Sequence, residues 1–209
     1  MLYEESVVPE EMALLTEEWG ETLREHVVLQ VDDPFLSGPQ QRLVSNRRRA
    51  EICYVMHRGR PADGLLLHIK SIYPEHAYRL PTGGIHQGES VLGTLAREIY
   101  EETGLVVGPG ADQVQIERFL GLLSYELQHT SLGVRHFATY PFLVRMPADG
   151  TITTLDPEEM IAGWQWRAPE ELGDVADLLE QVGNREPDWA DWGRYRAPCH
   201  RFVLQALTV

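Results

Sequence analysis

A dense group of carboxylates lies in the middle of the chain, in the stretch "LPTGGIHQGESVLGTLAREIYEETGLVV" (residues 80–107). Glu89, Glu98, Glu101 and Glu102 fall within fourteen residues, and only Arg97 stands among them as a positive charge. Like charges at helical spacing destabilise an isolated helix. A solvated acidic face is the simpler interpretation of such a pattern. The missing lysines and the glycine-rich turn that precedes the pattern favour a bound cation instead.

The spacing of these glutamates predicts a shared helix face. At about 100° per residue, Glu98, Glu101 and Glu102 lie on one side of a helix predicted from Ser90 to about Thr103. Mg²⁺ prefers carboxylate oxygens, keeps several waters and binds together with substrate phosphates. The pattern therefore predicts a Mg²⁺ site, with Mn²⁺ as an alternative, beside a phosphorylated substrate.

The same stretch resembles the motif of a known family. The residues that match are Gly83, Glu89, Arg97-Glu98-Ile99, Glu101-Glu102 and Gly104-Leu105. They fill every defined position of the Nudix box, and the chain therefore resembles the Nudix hydrolases. The match is tight in the box and looser at "GWQWRAPEEL" (163–172). The resemblance implies an α/β (α+β) fold, in which a mixed β-sheet is sandwiched between α-helices.

The resemblance also implies an activity, the hydrolysis of a phosphoanhydride bond in a nucleoside diphosphate linked to another moiety. It implies that the metal ligands are Glu98, Glu101 and Glu102. Glu98 or a loop glutamate would act on the attacking water, while Arg97 would orient a glutamate through a salt bridge. A non-catalytic nucleotide-sensing or protein-binding module on the same scaffold is the alternative, because fold alone does not determine function.

Supporting roles follow for the ends of the box. Gly83 and Gly84 would let the backbone pass close to the helix and to the substrate phosphates. Glu89 lies about 180° from Glu98 on an ideal helix, so it is expected to hold Arg97 or an outer-shell water from the start of the helix. Gly104 can adopt the left-handed conformation that ends a helix.

Further site residues are less well specified by the sequence. The resemblance implies a further catalytic carboxylate in a loop just before the strand at 161–167. We favour Glu159 for this role, with Glu158 and Glu126 as rivals. Arg79 is the preferred phosphate contact, and the other arginines considered are Arg58, Arg47, Arg48 and Arg49. The aromatic residues considered for stacking on a base are Trp164, Trp166, Trp189, Trp192 and Tyr125. Aromatic residues at such positions more often pack in the core or on the surface than stack on a base.

The composition limits the possible partners. A net charge of −14 over 209 residues disfavours a nucleic-acid polymer, which usually requires a basic face. We find no apolar run long enough to cross a membrane and no signal peptide, so we expect a cytoplasmic protein without a membrane partner. The two cysteines, Cys53 and Cys199, make no disulfide framework.

The periodicity of apolar residues predicts three regions. Residues 1–45 form an N-terminal extension with an amphipathic helix over 9–29, residues 46–183 form the Nudix-like domain, and residues 184–209 form a C-terminal loop and helix that pack on it. Strands are expected at 50–58, 64–73, near 114–125, at 135–145 and at 161–167. A helix is expected over 168–183 and a loop over 184–198.

The predicted N-terminal helix carries an apolar stripe at three- and four-residue steps, namely Met12, Leu15, Trp19, Leu23 and Val27. Burying one such side chain contributes about 1.5–3 kcal/mol, so the stripe is expected to be covered. A homodimer that uses this region is predicted, and a monomer whose helix covers a flank of the sheet is the alternative.

Overall fold

The computed structural model describes residues 6–32, 35–36 and 48–208, and in this part of the chain an eight-stranded mixed sheet lies between helices. The strands are β1 (Leu23–Gln30), β2 (Arg48–His57), β3 (Leu65–Lys70), β4 (Thr82–His86), β5 (Gln115–Phe119), β6 (Gly121–His129), β7 (Gly133–Arg145) and β8 (Ile161–Arg167). The helices are α1 (Pro9–Trp19), α2 (Val91–Thr103), α3 (Leu172–Glu180) and α4 (Ala190–Thr208).

The sheet is built around β2, which pairs with three other strands. The strand order is β1-β6-β7-β2-β3-β8, while β4 also pairs with β2 and β5 also pairs with β7. The β1–β6 and β2–β7 pairs are parallel, and the remaining pairs are antiparallel. The expected mixed sheet is therefore confirmed, and β2 and β3, two of the expected strands, pair as an antiparallel hairpin.

The continuous apolar sequence of β2 reflects burial on both faces of the sheet. Cys53 and Val55 face a core cluster that α3 and α4 cover, whereas Tyr54 and Met56 face a second cluster that α1 and α2 cover. The sheet thus separates two cores, and α2 with its glutamates lies on the second side. Both cysteines of the chain are free and buried.

The prediction of one helix over residues 9–29 is wrong in its second half. Helix α1 ends at Trp19, and Gly20 follows with a φ of 78°, a conformation that favours glycine. The next residues form β1, which pairs with β6 along its whole length. Tertiary pairing decided this outcome, because "LREHVVLQ" suits a strand as well as a helix when a partner strand is available.

The prediction of a loop over residues 184–198 is also wrong. Helix α4 begins at Ala190, runs for 19 residues and includes Pro198. A Cβ atom at Gly193 would overlap the carbonyl oxygen of Leu179, so this glycine lets α4 approach α3 closely. Packing of α4 against the sheet and α3 outweighs the low helix propensity of Gly193 and Pro198.

The other expected elements need smaller corrections. The strand expected near 114–125 is two strands, β5 and β6, because the chain bends at Gly121, where φ is 137°. The helix expected over 168–183 begins as a short 3₁₀ turn at Pro169–Glu171 and continues as α3. The polar, proline-bearing segment between Asp32 and Arg49 falls mostly outside the described residues.

Helix α4 also carries a buried histidine, His200, and both of its ring nitrogens form hydrogen bonds. The backbone N–H of Leu80 donates to His200 Nε2 at 3.0 Å, and His200 Nδ1 lies 2.9 Å from the carbonyl oxygen of Arg196, to which it donates. This pattern requires a neutral imidazole with its proton on Nδ1. Burial lowers the pKa of His200 from 6.5 to about 3.

We therefore expect the stability of the protein to decrease as the pH falls below about 6.5. Between its unfolded and folded pKa values, His200 binds a proton only in the unfolded state, so each pH unit lost removes ~1.4 kcal/mol. A His200→Gln variant has no imidazole that can bind this additional proton in the unfolded state. Urea unfolding of both chains across this pH range should show a shallower pH dependence in the variant, and equal slopes would contradict the assignment.

Among the described residues, no helix has the length and the apolar character that a membrane span requires.

Candidate active site

The helix that carries the glutamates has defined ends. Ser90 is the N-cap of α2, and its Oγ atom accepts a hydrogen bond from the backbone N–H of Gly93 at 3.1 Å. Gly104 ends the helix with a φ of 73°, in the left-handed conformation expected from the sequence. The predicted helix is confirmed, and its boundaries agree with the prediction to within one residue.

The loop between β7 and β8 docks on the C-terminus of α2. The backbone N–H groups of Thr153 and Leu155 donate to the carbonyl oxygens of Thr103 and Glu101, at 2.8 and 3.0 Å. These carbonyls have no partner within the helix, and the loop satisfies them. The loop continues into a short 3₁₀ turn, Pro157–Glu159, which brings the carboxylate of Glu159 to the helix.

Three carboxylates meet at this point. Oxygen atoms of Glu98, Glu101 and Glu159 all lie within 4.8 Å of one another. The structure thus unites two of the glutamates of α2 with the preferred loop carboxylate. Of the two rivals, Glu158 is exposed, and Glu126 lies on β6, where it accepts a hydrogen bond from Gln128.

Glu98 is the most unusual carboxylate of the three. It is 5% exposed, and burial together with the nearby charge of Glu102 raises its pKa from 4.5 to about 7. A cation bound beside it would favour the charged form. The donor set consists of carboxylate oxygens, which suits Mg²⁺ or Mn²⁺. The residues therefore fit the divalent cation that the box implies.

Glu102 lies behind the cluster and is fully buried. The hydroxyl of Tyr54 donates to its Oε2 atom, and Lys70 Nζ lies 3.4 Å from its Oε1 atom. Burial raises the pKa of Glu102, while Lys70 opposes this effect. The described structure therefore groups Glu102 with protein donors and not with the three converging carboxylates, although the resemblance implies a ligand role for it.

Arg97 contacts three of the carboxylates. Its Nη1 atom lies 2.8 Å from Glu101 and 2.9 Å from Glu98, and its Nε atom lies 3.1 Å from Glu89. Glu89 also accepts a hydrogen bond from the backbone N–H of His86 at 2.9 Å. Partial burial opposes ionisation, but these donors keep the pKa of Glu89 below 4.5. Glu89 thus holds Arg97 from the start of the helix.

The two glycines of the turn make room for side chains of the site. A Cβ atom at Gly83 would overlap the side chain of Glu98, and one at Gly84 would overlap Arg48. Arg48 lies on β2, and its positive charge opposes the rise in the pKa of Glu98 that burial causes. The glycine pair therefore lets the carboxylate of Glu98 and the guanidinium of Arg48 cross strand β4.

We expect Gly83→Ala to lower turnover by about 10²-fold, because Glu98 must leave its position and misplacing a reacting group by about 1 Å costs that much. Gly173→Ala is the matched control, since a Cβ atom there would meet only Leu204 Cδ2 at 4.0 Å. Steady-state rates of the two variants and the parent chain provide the test. Wild-type turnover in Gly83→Ala would show that Glu98 does not need its observed position.

Arg79 does not reach the site, contrary to its expected role as a phosphate contact. It is 2% exposed, and its Nη1 atom donates to the carbonyl oxygen of Leu80 and to Thr82 Oγ1 at 2.8 and 3.0 Å. Its Nη2 atom donates to the hydroxyl of Tyr73 at 2.7 Å. Arg79 therefore belongs to the interior of the domain.

Most of the candidate aromatic residues are packing residues. Tyr125, Trp189 and Trp192 are at most 5% exposed and lie in the core on the α3–α4 side of the sheet. Trp164 packs against the buried ring of His68, and their ring centroids are 5.6 Å apart. Trp166 is 43% exposed, and the guanidinium of Arg58 lies 6.0 Å from its ring.

The sequence did not single out Tyr54 and Lys70 as site residues. Both lie on strands that precede the box, and one signal could have found Lys70. On β3, Leu66, His68 and Lys70 alternate toward one face, and Leu66 belongs to the core that α2 covers. A lysine on that face and near the glutamate helix is a candidate partner for its carboxylates.

Comparisons with known proteins agree with these observations. The model of the NUDIX domain matches residues 46–192. No curated protein matches the sequence significantly. The dihydroneopterin triphosphate pyrophosphohydrolase of E. coli is a similar solved structure, with a TM-score of 0.47 and 18% identity, over 68% of this chain and 93% of that one.

Two further solved structures are similar. An Ap4A hydrolase of C. elegans has a TM-score of 0.46 and 17% identity, over 71% of this chain and 98% of that one. A mutator MutT protein from Bacillus halodurans has a TM-score of 0.42 and 22% identity, over 60% of this chain and 72% of that one. With TM-scores below 0.5 and identities below 25%, these similarities do not bear on the substrate of this chain.

Proposed function

The chain belongs to the Nudix family, whose domain model covers residues 46–192, and from this premise we propose a Mg²⁺-dependent pyrophosphohydrolase. Its substrate class would be a nucleoside diphosphate linked to another moiety, cleaved at a phosphoanhydride bond. The convergence of Glu98, Glu101 and Glu159 within 4.8 Å is the observation that carries the proposal. Glu98 is buried, and Glu101 and Glu159 are partly buried, so their charges repel one another, and a divalent cation among them would offset this repulsion together with Arg97.

In this proposal, Glu98, Glu101 and Glu159 hold the divalent cation, with Mn²⁺ as a possible replacement for Mg²⁺. When bound, the cation lowers the pKa of an attacking water and offsets charge on the phosphate oxygens. Positioning and electrostatic stabilisation supply most of the catalysis in phosphoryl transfer. The protein's contribution is therefore to keep these carboxylates in place.

Glu98 is the residue that we propose as the general base. A general base must lie within hydrogen-bond reach of the proton that it accepts, and Glu98 belongs to the carboxylates that converge on the proposed cation site. The ion pair with Arg97, at 2.9 Å from the nearest carboxylate oxygen, keeps the side chain oriented. Glu98 would accept the proton of the water that attacks phosphorus.

A positive group next to the carboxylates supports a phosphorylated substrate. Arg48 crosses Gly84 next to Glu98, and its Nε atom is buried without a hydrogen bond to any described residue. An arginine suits bidentate contact with phosphate. We propose that Arg48, and not Arg79, contacts the substrate phosphates. Gly83 and Gly84 allow the backbone of β4 to lie close to them.

A panel of nucleoside diphosphate derivatives, each incubated with Mg²⁺, with Mn²⁺ or with EDTA, tests the proposal. We expect metal-dependent release of phosphate-containing products from at least one member. Tight binding of a member without turnover would instead favour the alternative, a nucleotide-sensing or protein-binding module. No turnover and no binding of Mg²⁺ or Mn²⁺ would overturn the proposed function.

The oligomeric state and the location stay predictions. Helix α1 covers the second core with Met12 and Leu15, and Arg49 pairs with Glu11 at 2.6 Å, which agrees with a helix that covers a flank of the sheet. Light scattering on the full chain distinguishes the predicted homodimer from a monomer. A cytoplasmic location is proposed from the sequence alone.

A further inference from the structure

Lys70 stands out because it is unique in composition and central in position. Of the eighteen basic side chains in the chain, it is the single lysine, and all others are arginines. It lies at the end of β3, and its side chain is 14% exposed. The chain uses arginine for all its other basic side chains, and it places its single lysine beside the acidic centre.

The ammonium group bridges two carboxylates that come from different parts of the chain. Lys70 Nζ donates to Glu159 Oε2 and lies 3.4 Å from Glu102 Oε1. Glu102 comes from α2, whereas Glu159 comes from the turn before β8. Lys70 is thus the positive charge that joins Glu102 to the three converging carboxylates.

Glu102 retains unused capacity for a cation. Its Oε2 atom accepts the hydrogen bond from Tyr54, but its buried Oε1 atom accepts no hydrogen bond from any described residue. The contact of Oε1 with Lys70 is therefore one between charges. An ionised carboxylate buried this deeply needs a compensating charge, because desolvation otherwise costs several kcal/mol.

The chemistry of lysine suits this position better than that of arginine. An ammonium group is a compact point charge, whereas a guanidinium is a planar fork. A compact charge between carboxylate oxygens resembles a small metal ion in its electrostatic effect. The flexible stem allows the charge to settle between Glu102 and Glu159 without a fixed hydrogen-bonding plane.

We propose that Lys70 takes the place of a divalent cation between Glu102 and Glu159. This inference rests on the proposed function, because it concerns the same metal-binding carboxylates. Glu98, Glu101 and Glu159 hold the exchangeable ion, while Lys70 supplies a tethered charge that compensates Glu102. Lys70 is a positioning residue in this scheme, since it acts through two glutamates.

The first test counts the Mn²⁺ ions that the full chain binds. The electron paramagnetic resonance signal of free Mn²⁺ gives this number during a titration. We expect Lys70→Met to bind one more Mn²⁺ per chain than the wild type, because Glu102 and Glu159 lose their shared ammonium. The additional ion should be lost in the Lys70→Met/Glu102→Gln double variant. Arg60→Met is the matched control, since it removes an exposed positive charge from the β2–β3 turn and should leave the count unchanged.

The second test uses wild-type protein and does not depend on the folding of a variant. With ¹⁵N-labelled lysine, the side chain of Lys70 gives a single Nζ resonance, because the chain contains no other lysine. An ammonium held between two carboxylates should keep this resonance when Mg²⁺ saturates the site. Loss of the resonance through exchange with water would show that Mg²⁺ expels Lys70, and would overturn the inference.

The outcomes separate this inference from the proposed function. An equal number of Mn²⁺ ions in Lys70→Met and in the wild type overturns the role of Lys70, even if the wild type hydrolyses its substrate. An additional ion that persists in the double variant overturns the assignment to Glu102. A wild-type chain that neither binds Mn²⁺ nor turns over any substrate overturns the proposed function instead.

Discussion

Glu98→Gln should lower turnover by about 10²–10⁴-fold, the range typical for removal of a general base. The variant keeps the shape of the side chain but removes a charge that burial and Glu102 disfavour. Folding stability should therefore be retained or should increase. Steady-state rates with Mg²⁺, together with the thermal midpoint measured in EDTA, test both parts of the expectation.

Glu158→Gln is the control for this experiment. Glu158 lies in the same 3₁₀ turn as Glu159, but it is exposed and lies outside the converging carboxylates. Its turnover should equal that of the parent chain. If Glu98→Gln retained wild-type turnover at saturating Mg²⁺, Glu98 could not be the base.

Glu51→Gln should lower the free energy of unfolding by about 3–5 kcal/mol, the loss typical when one partner of a buried ion pair is removed. Glu51 is 2% exposed, and its Oε1 atom lies 2.8 Å from Arg196 Nη1 and 3.0 Å from the hydroxyl of Tyr195. Burial opposes ionisation, but Arg196 keeps the pKa of Glu51 below 4.5. The pair joins β2 to α4, so its loss should weaken the attachment of the C-terminal helix.

Chemical denaturation provides the measurement, and two further variants sharpen it. Glu25→Gln alters an exposed glutamate of β1 and should change stability by much less. The double variant Glu51→Gln/Arg196→Met should be more stable than Glu51→Gln, because it leaves no unpaired charge from this pair. A loss below about 1 kcal/mol in Glu51→Gln would mean that the ion pair adds little to the stability of the fold.

Local chemistry made α2 predictable. Its capping residue, its apolar spacing and its final glycine all act within a few residues, so the sequence alone places the helix between Ser90 and Gly104. Elements whose stability depends on distant partners were predicted less well.

The two extensions illustrate such elements. The apolar stripe from Met12 to Val27 fits a helical period, yet its second half pairs as a strand with β6, a partner almost a hundred residues away. Helix α4 contains Gly193 and Pro198, and the sequence therefore favoured a loop. In both cases, tertiary contacts outweighed local propensity.

The box by itself determined the family, the helix and the identity of the carboxylates that could bind a cation, because these depend on residue types at fixed spacing. Only the tertiary structure decided which groups surround them. Lys70 and Arg48 come from two strands that precede the box, and the sequence did not connect them with its glutamates. Glu159 was one of three loop candidates, and the packing of its turn against α2 selects it from them. Such contacts depend on how β2, β3 and β8 pair, and pairing between distant strands cannot be derived from the spacing within one motif.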